Sequence, residues 1–99
     1  MKAIVFAETG TADVLTLEDV PTPEVRPGML LIKNHAIGVN FADTLFRRGT
    51  YAVAPKLPDT PGLEAAGVIE AIGEGVAGLP LGARVAAFAS KTYAEYCLG

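Results

Sequence analysis

Short runs of apolar and β-branched residues, separated by glycine, proline and polar residues, recur along the chain. Such runs are typical of β-strands joined by loops, and the first two runs, on either side of a short polar stretch, predict an antiparallel hairpin. The predicted strands cover residues 2–7, 14–20, 29–39, 64–72, 83–89 and 92–98. The pattern therefore predicts a mainly β fold.

One segment instead has the charge pattern of a helix. Asn40 is a favourable cap residue, Asp43 stands in the first turn, and two arginines stand in the last turn. This arrangement complements the helix dipole. Gly49 then ends the segment, so we predict a short helix over residues 40–48.

Prolines interrupt the chain in two loops. Residues 20–28 are predicted to be extended, because each proline removes an amide donor and restricts the residue before it. Residues 50–61 contain three prolines and are predicted to form a loop of about a dozen residues. In a compact domain, a loop of this length usually has a functional role. We expect the mouth of a binding site there.

Composition narrows the class of protein. With 99 residues, of which 51% are hydrophobic and 19% charged, the chain has the composition of one globular domain. A net charge of −3 supplies no basic field for nucleic acid or for an anionic membrane surface. No apolar run approaches the length of a membrane span, and the start of the chain does not resemble a secretory leader. We expect a soluble, cytoplasmic protein.

Soft metal ligands are scarce in this sequence. Cys97 and His35 are the only cysteine and histidine, which is too few for a disulfide or for a common structural zinc site. We interpret His35 as a packed or hydrogen-bonded strand residue and Cys97 as a small buried hydrophobe.

The glycine spacing at residues 73–78 matches the dinucleotide-binding pattern G-x-G-x-x-G. That pattern must open a helix whose N-terminus receives the pyrophosphate. Here Leu79-Pro80-Leu81-Gly82 breaks the chain directly after the third glycine. We therefore interpret the segment as a turn.

Three stretches carry a family resemblance when they are taken together: Gly38 to Asp43, Thr60 to Ile69, and Gly82 to Val85. Their order and spacing resemble the N-terminal region of medium-chain dehydrogenases/reductases, in the zinc-free quinone oxidoreductase and zeta-crystallin branch. The resemblance implies that residues 1–99 form a GroES-like, alcohol dehydrogenase-like N-terminal domain. We expect the nucleotide-binding domain of such an enzyme to be absent from this chain.

The resemblance also bears on metal binding. Zinc-dependent relatives have a cysteine at the position of Asn40 and a histidine at the position of Leu63, and both side chains bind the catalytic metal. An amide is a poor zinc ligand and leucine is none. The resemblance therefore implies the metal-free branch.

In that branch, the asparagine at the position of Asn40 lies beside the nicotinamide ribose, and the tyrosine at the position of Tyr51 lies in the substrate cleft. The resemblance thus implies that Asn40 binds the cofactor and that Tyr51 is catalytic. An amide and a phenol suit this task, because both donate and accept hydrogen bonds and an aromatic ring can hold a planar quinone or enone. The structural alternatives are that Asn40 only caps the helix and that Tyr51 only packs beside the preceding turn.

Some positions depart from the family or have structural interpretations. Leu45 replaces a tyrosine that is common in this branch, which predicts a missing hydroxyl in the cleft, and Ala83 replaces a usual aspartate. We interpret Asp43 as a first-turn helix residue and Glu64 as the partner of an arginine, and the alternative for both is an acid/base role. We interpret the two arginines at the helix end as solvated, and the alternative is contact with a cofactor phosphate.

The predicted fold is a mainly β, partly open GroES-like β-barrel with one or two short helices. The function that the resemblance implies is the substrate side of an NADPH-dependent quinone or enone oxidoreductase without zinc, acting on a small molecule. We expect the chain alone to bind NADPH weakly and to be catalytically silent. The alternative is a free-standing GroES-like binding or oligomerisation module, because a barrel does not fix a function. Uncovered edge strands in residues 84–98 predict self-association into a homo-oligomer.

Overall fold

The computed structural model describes residues 1–99 as two antiparallel β-sheets and one α-helix. The strands are β1 (Lys2–Val5), β2 (Thr16–Asp19), β3 (Leu30–Ile37), β4 (Glu64–Ile72), β5 (Arg84–Phe88) and β6 (Tyr96–Leu98), and the helix is α1 (Phe41–Arg48). One turn of 3-10 helix, Ala12–Val14, lies between β1 and β2. The predicted mainly β fold with one or two short helices is confirmed. With eight residues, α1 is too short to span a membrane.

The two sheets join along β1 to form a partly open barrel. β1 and β2 make the predicted hairpin, and the other four strands pair in the order β5-β4-β3-β6. The Ile4 N–H donates to the Tyr93 carbonyl at 2.8 Å, and the Glu95 N–H donates to the Lys2 carbonyl at 3.0 Å. The residues before β6 therefore pair with β1. Only three residues of the strand predicted over 92–98 belong to β6 and pair with β3. On the other side of the sheet, β5 pairs only with β4 and leaves one edge free.

The ladder between β3 and β4 contains two register shifts, at Leu31/Ile32 and at Asn34/Ala36. A shift of this kind changes which face of the sheet each following side chain occupies. It explains why apolar residues fall on both faces of the predicted strand. His35 is the residue skipped at the second shift, and its side chain is exposed. The interpretation of His35 as packed or hydrogen-bonded is therefore wrong, because the bulge turns it toward solvent.

A small number of large side chains fill the barrel interior. Phe6, Ile32 and Ile69 are fully buried or nearly so, and burial of each such side chain stabilises the fold by about 1.5–3 kcal/mol. Phe46 of α1 packs edge-to-face on Phe6, with ring centroids 5.7 Å apart at an interplanar angle of 81°. This contact fixes α1 against the end of β1.

The ends of α1 agree with the sequence prediction. At its start the Asp43 carboxylate accepts a hydrogen bond from the Asn40 N–H at 2.9 Å. Gly49 ends it in the left-handed conformation, with a φ of 77° that other residues adopt only with strain. Arg47 is not simply solvated, since its Nε donates to the Gly10 carbonyl at 3.1 Å. The helix end is thus attached to the loop between β1 and β2.

Cys97 is 2% exposed, which confirms that it is a buried residue. It packs with Ile32 and Ala65 in the main apolar cluster. Burial raises the pKa of the Cys97 thiol, and a hydrogen bond to Asn34 opposes this effect only in part. The thiol is therefore protonated and shielded.

Candidate functional site

A cleft of about 360 Å³ lies beside α1. The loop of residues 50–61 forms one wall, so the cleft lies where the sequence predicts the mouth of a binding site. The lining residues are Ala42, Asp43, Phe46, Tyr51, Val53, Ala54, Lys56, Asp59, Thr60, Gly62, Leu63, Ser90 and Lys91. The volume lies within the usual range for small-molecule pockets.

The cleft wall combines apolar surface with a single phenol. Tyr51 is half-buried and lines the cleft together with Phe46 of α1 and Leu63, the residue before β4. The turn at Gly49 reverses the chain after α1 and so brings Tyr51 back toward the helix. Aromatic and aliphatic side chains of this kind favour a flat, apolar ligand, while the phenol hydroxyl offers one polar contact.

Asn40 lies at the border of the cleft, directly before α1. It is half-buried and is not one of the lining residues. Its backbone N–H donates to the Asp43 carboxylate at 2.9 Å, and Asp43 does line the cleft. The structure therefore brings Tyr51 into the cleft and places Asn40 two residues before Ala42, the first residue of α1 that lines it.

Asp43 is a buried carboxylate, only 6% exposed. Besides the Asn40 N–H, it accepts a hydrogen bond from the Tyr93 hydroxyl at 2.8 Å. Burial, together with this bond and the negative charge of Asp43, raises the pKa of Tyr93 to about 12. The predicted role of Asp43 in the first turn of the helix is confirmed, and the same group also connects the helix to the segment before β6.

Asp59 is the second buried carboxylate of the cleft and is 7% exposed. Its oxygens accept hydrogen bonds from the backbone N–H groups of Lys56 at 2.9 Å and Thr60 at 2.8 Å, and from the Lys91 ammonium. Burial acts to raise the pKa of Asp59, but the bonds from Lys91, Lys56 and Thr60 outweigh it and lower the pKa below its usual value. Asp59 thus holds the mouth loop against residue 91.

Two residues singled out by the sequence lie outside the cleft. Leu45 does not line it, because α1 turns residues 42, 43 and 46 toward the cleft and residue 45 away from it. The loss of a cleft hydroxyl through Leu45 stays a prediction, since a leucine side chain is shorter than the tyrosine that it replaces. Glu64 forms no ion pair with an arginine, contrary to expectation, and its side chain folds over Gly38. Gly38 leaves room for the Glu64 side chain because glycine has no Cβ.

The positions that bind zinc in zinc-dependent relatives hold Asn40 and Leu63 here. Leu63 presents only carbon atoms to the cleft. No group of three or more His, Cys, Asp or Glu side chains is placed to hold a metal ion. The cleft offers a phenol, two ammonium groups and two buried carboxylates.

The glycine-rich segment has the predicted conformation. Residues 73–83 form turns and contain no helix. The interpretation of this segment as a turn is confirmed, because no helix N-terminus is available there for a pyrophosphate.

Sequence reasoning missed several residues of the site, namely Lys56, Asp59, Lys91 and Tyr93. An aspartate in a turn often bonds nearby backbone amides, and this signal could have identified Asp59. The contacts of Lys91 and Tyr93 have no local pattern in the sequence, since Lys91 is 32 residues from Asp59 and Tyr93 is 50 residues from Asp43.

Comparison with known families identifies the fold. Residues 26–99 match the alcohol dehydrogenase GroES-like domain. The chain belongs to this family. The quinone oxidoreductase of Rattus norvegicus is 45% identical over 101 residues, an alignment that covers 99% of this chain and 31% of the relative. The chain thus spans about a third of the length of the curated quinone oxidoreductases that it matches.

Solved structures agree with this assignment. A mycobacterial protein in complex with NADPH is 45% identical, has a TM-score of 0.93, and aligns over 100% of this chain and 31% of its own. The human synaptic vesicle membrane protein VAT-1 homolog-like protein is 38% identical, has a TM-score of 0.96, and aligns over 100% of this chain and 32% of its own. The predicted GroES-like fold is confirmed, as is the similarity to quinone oxidoreductases of the medium-chain dehydrogenase/reductase superfamily.

Proposed function

We propose that this chain forms the substrate-side wall of an NADPH-dependent quinone or enone oxidoreductase that works without zinc. The observation that carries this proposal is the position of Tyr51 in an apolar cleft beside the helix that follows Asn40. Quinone oxidoreductases among the relatives, and a similar structure in complex with NADPH, support it.

The residues of the cleft have complementary roles in this proposal. Phe46 and Leu63 exclude water and hold the flat ring of the substrate. The Tyr51 hydroxyl donates a hydrogen bond to the substrate carbonyl oxygen and stabilises the negative charge that develops there on reduction. When bound, the nicotinamide supplies the hydride.

The residues of this chain fit only one end of the cofactor. The Asn40 amide can donate and accept hydrogen bonds with the nicotinamide ribose, and it lies next to the cleft. The glycine-rich turn at residues 73–83 offers no helix N-terminus for the phosphates. We therefore propose that Asn40 contributes to cofactor binding and that the 99-residue chain alone binds NADPH weakly and shows no turnover.

The absence of zinc from the proposed reaction rests on the side chains at positions 40 and 63. An amide and a leucine replace the two soft ligands, so the carbonyl oxygen needs another electrophilic partner. The Tyr51 phenol is the hydrogen-bond donor in the cleft best suited to that role.

A free-standing module remains the second candidate function, and the open edge of β5 favours it. Phe88 on β5 is 90% exposed, and an unpaired strand with a large exposed apolar side chain invites pairing with another chain. In either function, we propose a cytoplasmic homo-oligomer whose subunits meet at this edge.

The two functions are separated by measuring NADPH oxidation by the native gene product with phenanthrenequinone as acceptor. We expect turnover in the wild type. Tyr51→Phe should decrease kcat on the order of 100-fold, because this variant loses the hydroxyl that is proposed to stabilise the charge on the substrate oxygen. Tyr96→Phe, outside the cleft, is the matched control and should retain activity. Unchanged kcat in Tyr51→Phe would remove Tyr51 from catalysis, and absence of turnover in the wild type would favour the module.

A further inference from the structure

We propose that Asp43 and Tyr93 are positioning residues that fix Asn40 for cofactor binding. Neither residue has to contact the cofactor in this arrangement. The inference rests on the proposed function, and specifically on the role of Asn40 in it.

One carboxylate oxygen makes the connection. The Oδ2 atom of Asp43 accepts the Asn40 backbone N–H at 2.9 Å and the Tyr93 hydroxyl at 2.8 Å. Asp43 is only 6% exposed, so water competes little for this oxygen. The residue before α1 is therefore linked, through one atom, to a tyrosine 50 positions away from Asp43.

Tyr93 is itself firmly held by the barrel. Its backbone N–H donates to the Pro61 carbonyl at 3.0 Å, and its carbonyl accepts the Ile4 N–H at 2.8 Å. The neighbouring residue Thr92 is fully buried. The Tyr93 hydroxyl thus has a fixed position relative to both β1 and the mouth loop, which makes it a suitable anchor for the start of the helix.

The chain that leads into Asn40 has few other restraints. Val39 is 77% exposed, and Gly38 is held by a backbone hydrogen bond of 3.2 Å to the Glu64 carbonyl. The α1 residues after Asn40 are fixed by the helix, but the φ and ψ angles of Asn40 are extended and lie outside it. Two hydrogen bonds therefore orient Asn40, and both join it to Asp43: the Asn40 N–H donates to the Asp43 carboxylate at 2.9 Å, and the Asp43 N–H donates to the Asn40 carbonyl at 3.0 Å.

The Tyr93 hydroxyl, the donor in this link, stays protonated at neutral pH. The raised pKa of Tyr93, about 12, reflects burial and the adjacent Asp43 carboxylate. At neutral pH the hydroxyl therefore keeps the proton that it donates to Asp43. Its loss by mutation is expected to loosen Asn40 while the cleft lining stays unchanged.

The test is a double-mutant cycle in the native gene product, with the Kd for NADPH measured by isothermal titration calorimetry. We expect Asn40→Ala and Tyr93→Phe each to weaken NADPH binding by about fivefold, the loss of roughly one hydrogen bond. Because Tyr93 acts through Asn40, the double variant should bind NADPH no more weakly than Asn40→Ala alone. Multiplicative effects in the double variant would overturn the inference, since a merely structural role predicts them.

Two further variants keep the result interpretable. Tyr96→Phe removes a hydroxyl elsewhere and should leave the Kd unchanged. Asp43→Asn retains an acceptor oxygen, so it should have a smaller effect than Tyr93→Phe, and that effect should also vanish in the Asn40→Ala background. An unchanged Kd in Asn40→Ala would overturn both the inference and the role of Asn40, whereas loss of quinone turnover in Tyr51→Phe would still support the proposed reaction.

Discussion

Replacement of Asp59 by alanine is expected to destabilise the protein by releasing the mouth of the cleft. The Asp59 carboxylate is the common acceptor for the Lys56 and Thr60 amides and for the Lys91 ammonium. In Asp59→Ala both amides lose their acceptor. Lys91, whose side chain is 60% exposed, returns to water at little cost.

The size of this effect follows from the lost contacts. A hydrogen bond to a charged group contributes about 1.5–3 kcal/mol, and the loop is near enough to solvent for water to replace part of the loss, so we expect about 3 kcal/mol in all. In a protein of this size, 1 kcal/mol corresponds to about 4–8 °C in Tm, which gives a decrease of about 12–24 °C. Asp59→Asn keeps one acceptor oxygen and should lose about half as much. Lys91→Met, which removes only the exposed cation, should cost about 1 kcal/mol or less.

The same prediction has a pH dependence with a definite sign. Burial tends to raise the pKa of Asp59, but the hydrogen bonds from Lys91, Lys56 and Thr60 lower it further than burial raises it. Because the folded-state pKa is depressed, the stabilisation is complete above the unfolded-state pKa of about 3.9 and is lost as the pH falls through the folded-state pKa. Thermal unfolding followed by circular dichroism should show the full difference between wild type and Asp59→Ala at pH 7, shrinking below about pH 4. A difference under about 1 kcal/mol at pH 7, or one that does not shrink in acid, would refute this reasoning.

Three further predictions concern other parts of the barrel. Gly62→Ala should destabilise the protein by about 3 kcal/mol or more in chemical denaturation, because Gly62 has a φ of 121° and its new Cβ would overlap the Thr92 hydroxyl; wild-type stability would contradict this. Cys97 should react with a thiol reagent only after denaturation, since it is 2% exposed and its pKa is raised by burial; rapid reaction in the native state would contradict its packing. Phe88→Ser should reduce self-association in light scattering, with Val53→Ser, an exposed apolar residue outside β5, as control; equal association in both variants would place the contact elsewhere.

Local patterns predicted the fold well where neighbouring residues determine it. The start and end of α1 follow from Asn40, Asp43 and Gly49, whose effects act within one helical turn. The hairpin of β1 and β2 and the glycine-rich turn also follow from short stretches of sequence. The bulge at His35 did not, because strand register depends on both partners and the sequence of β3 alone does not show which residue is skipped.

The site was predictable only in part, for the same physical reason. Tyr51 and the loop that carries it were found from family resemblance and from loop length. The contacts of Asp59 with Lys91 and of Asp43 with Tyr93 join residues 32 and 50 positions apart. No periodicity or spacing rule links such pairs, since the barrel brings them together through its long-range strand pairing.

The most direct test of the central claim is a crystal structure of the native gene product with NADPH and phenanthrenequinone bound. Our account predicts that the quinone ring lies in the cleft between Phe46 and Leu63, with a carbonyl oxygen within hydrogen-bonding distance of the Tyr51 hydroxyl and the nicotinamide ribose beside Asn40. A quinone bound away from Tyr51, or a nicotinamide remote from Asn40, would contradict the assignment of this cleft as the substrate side of a reductase.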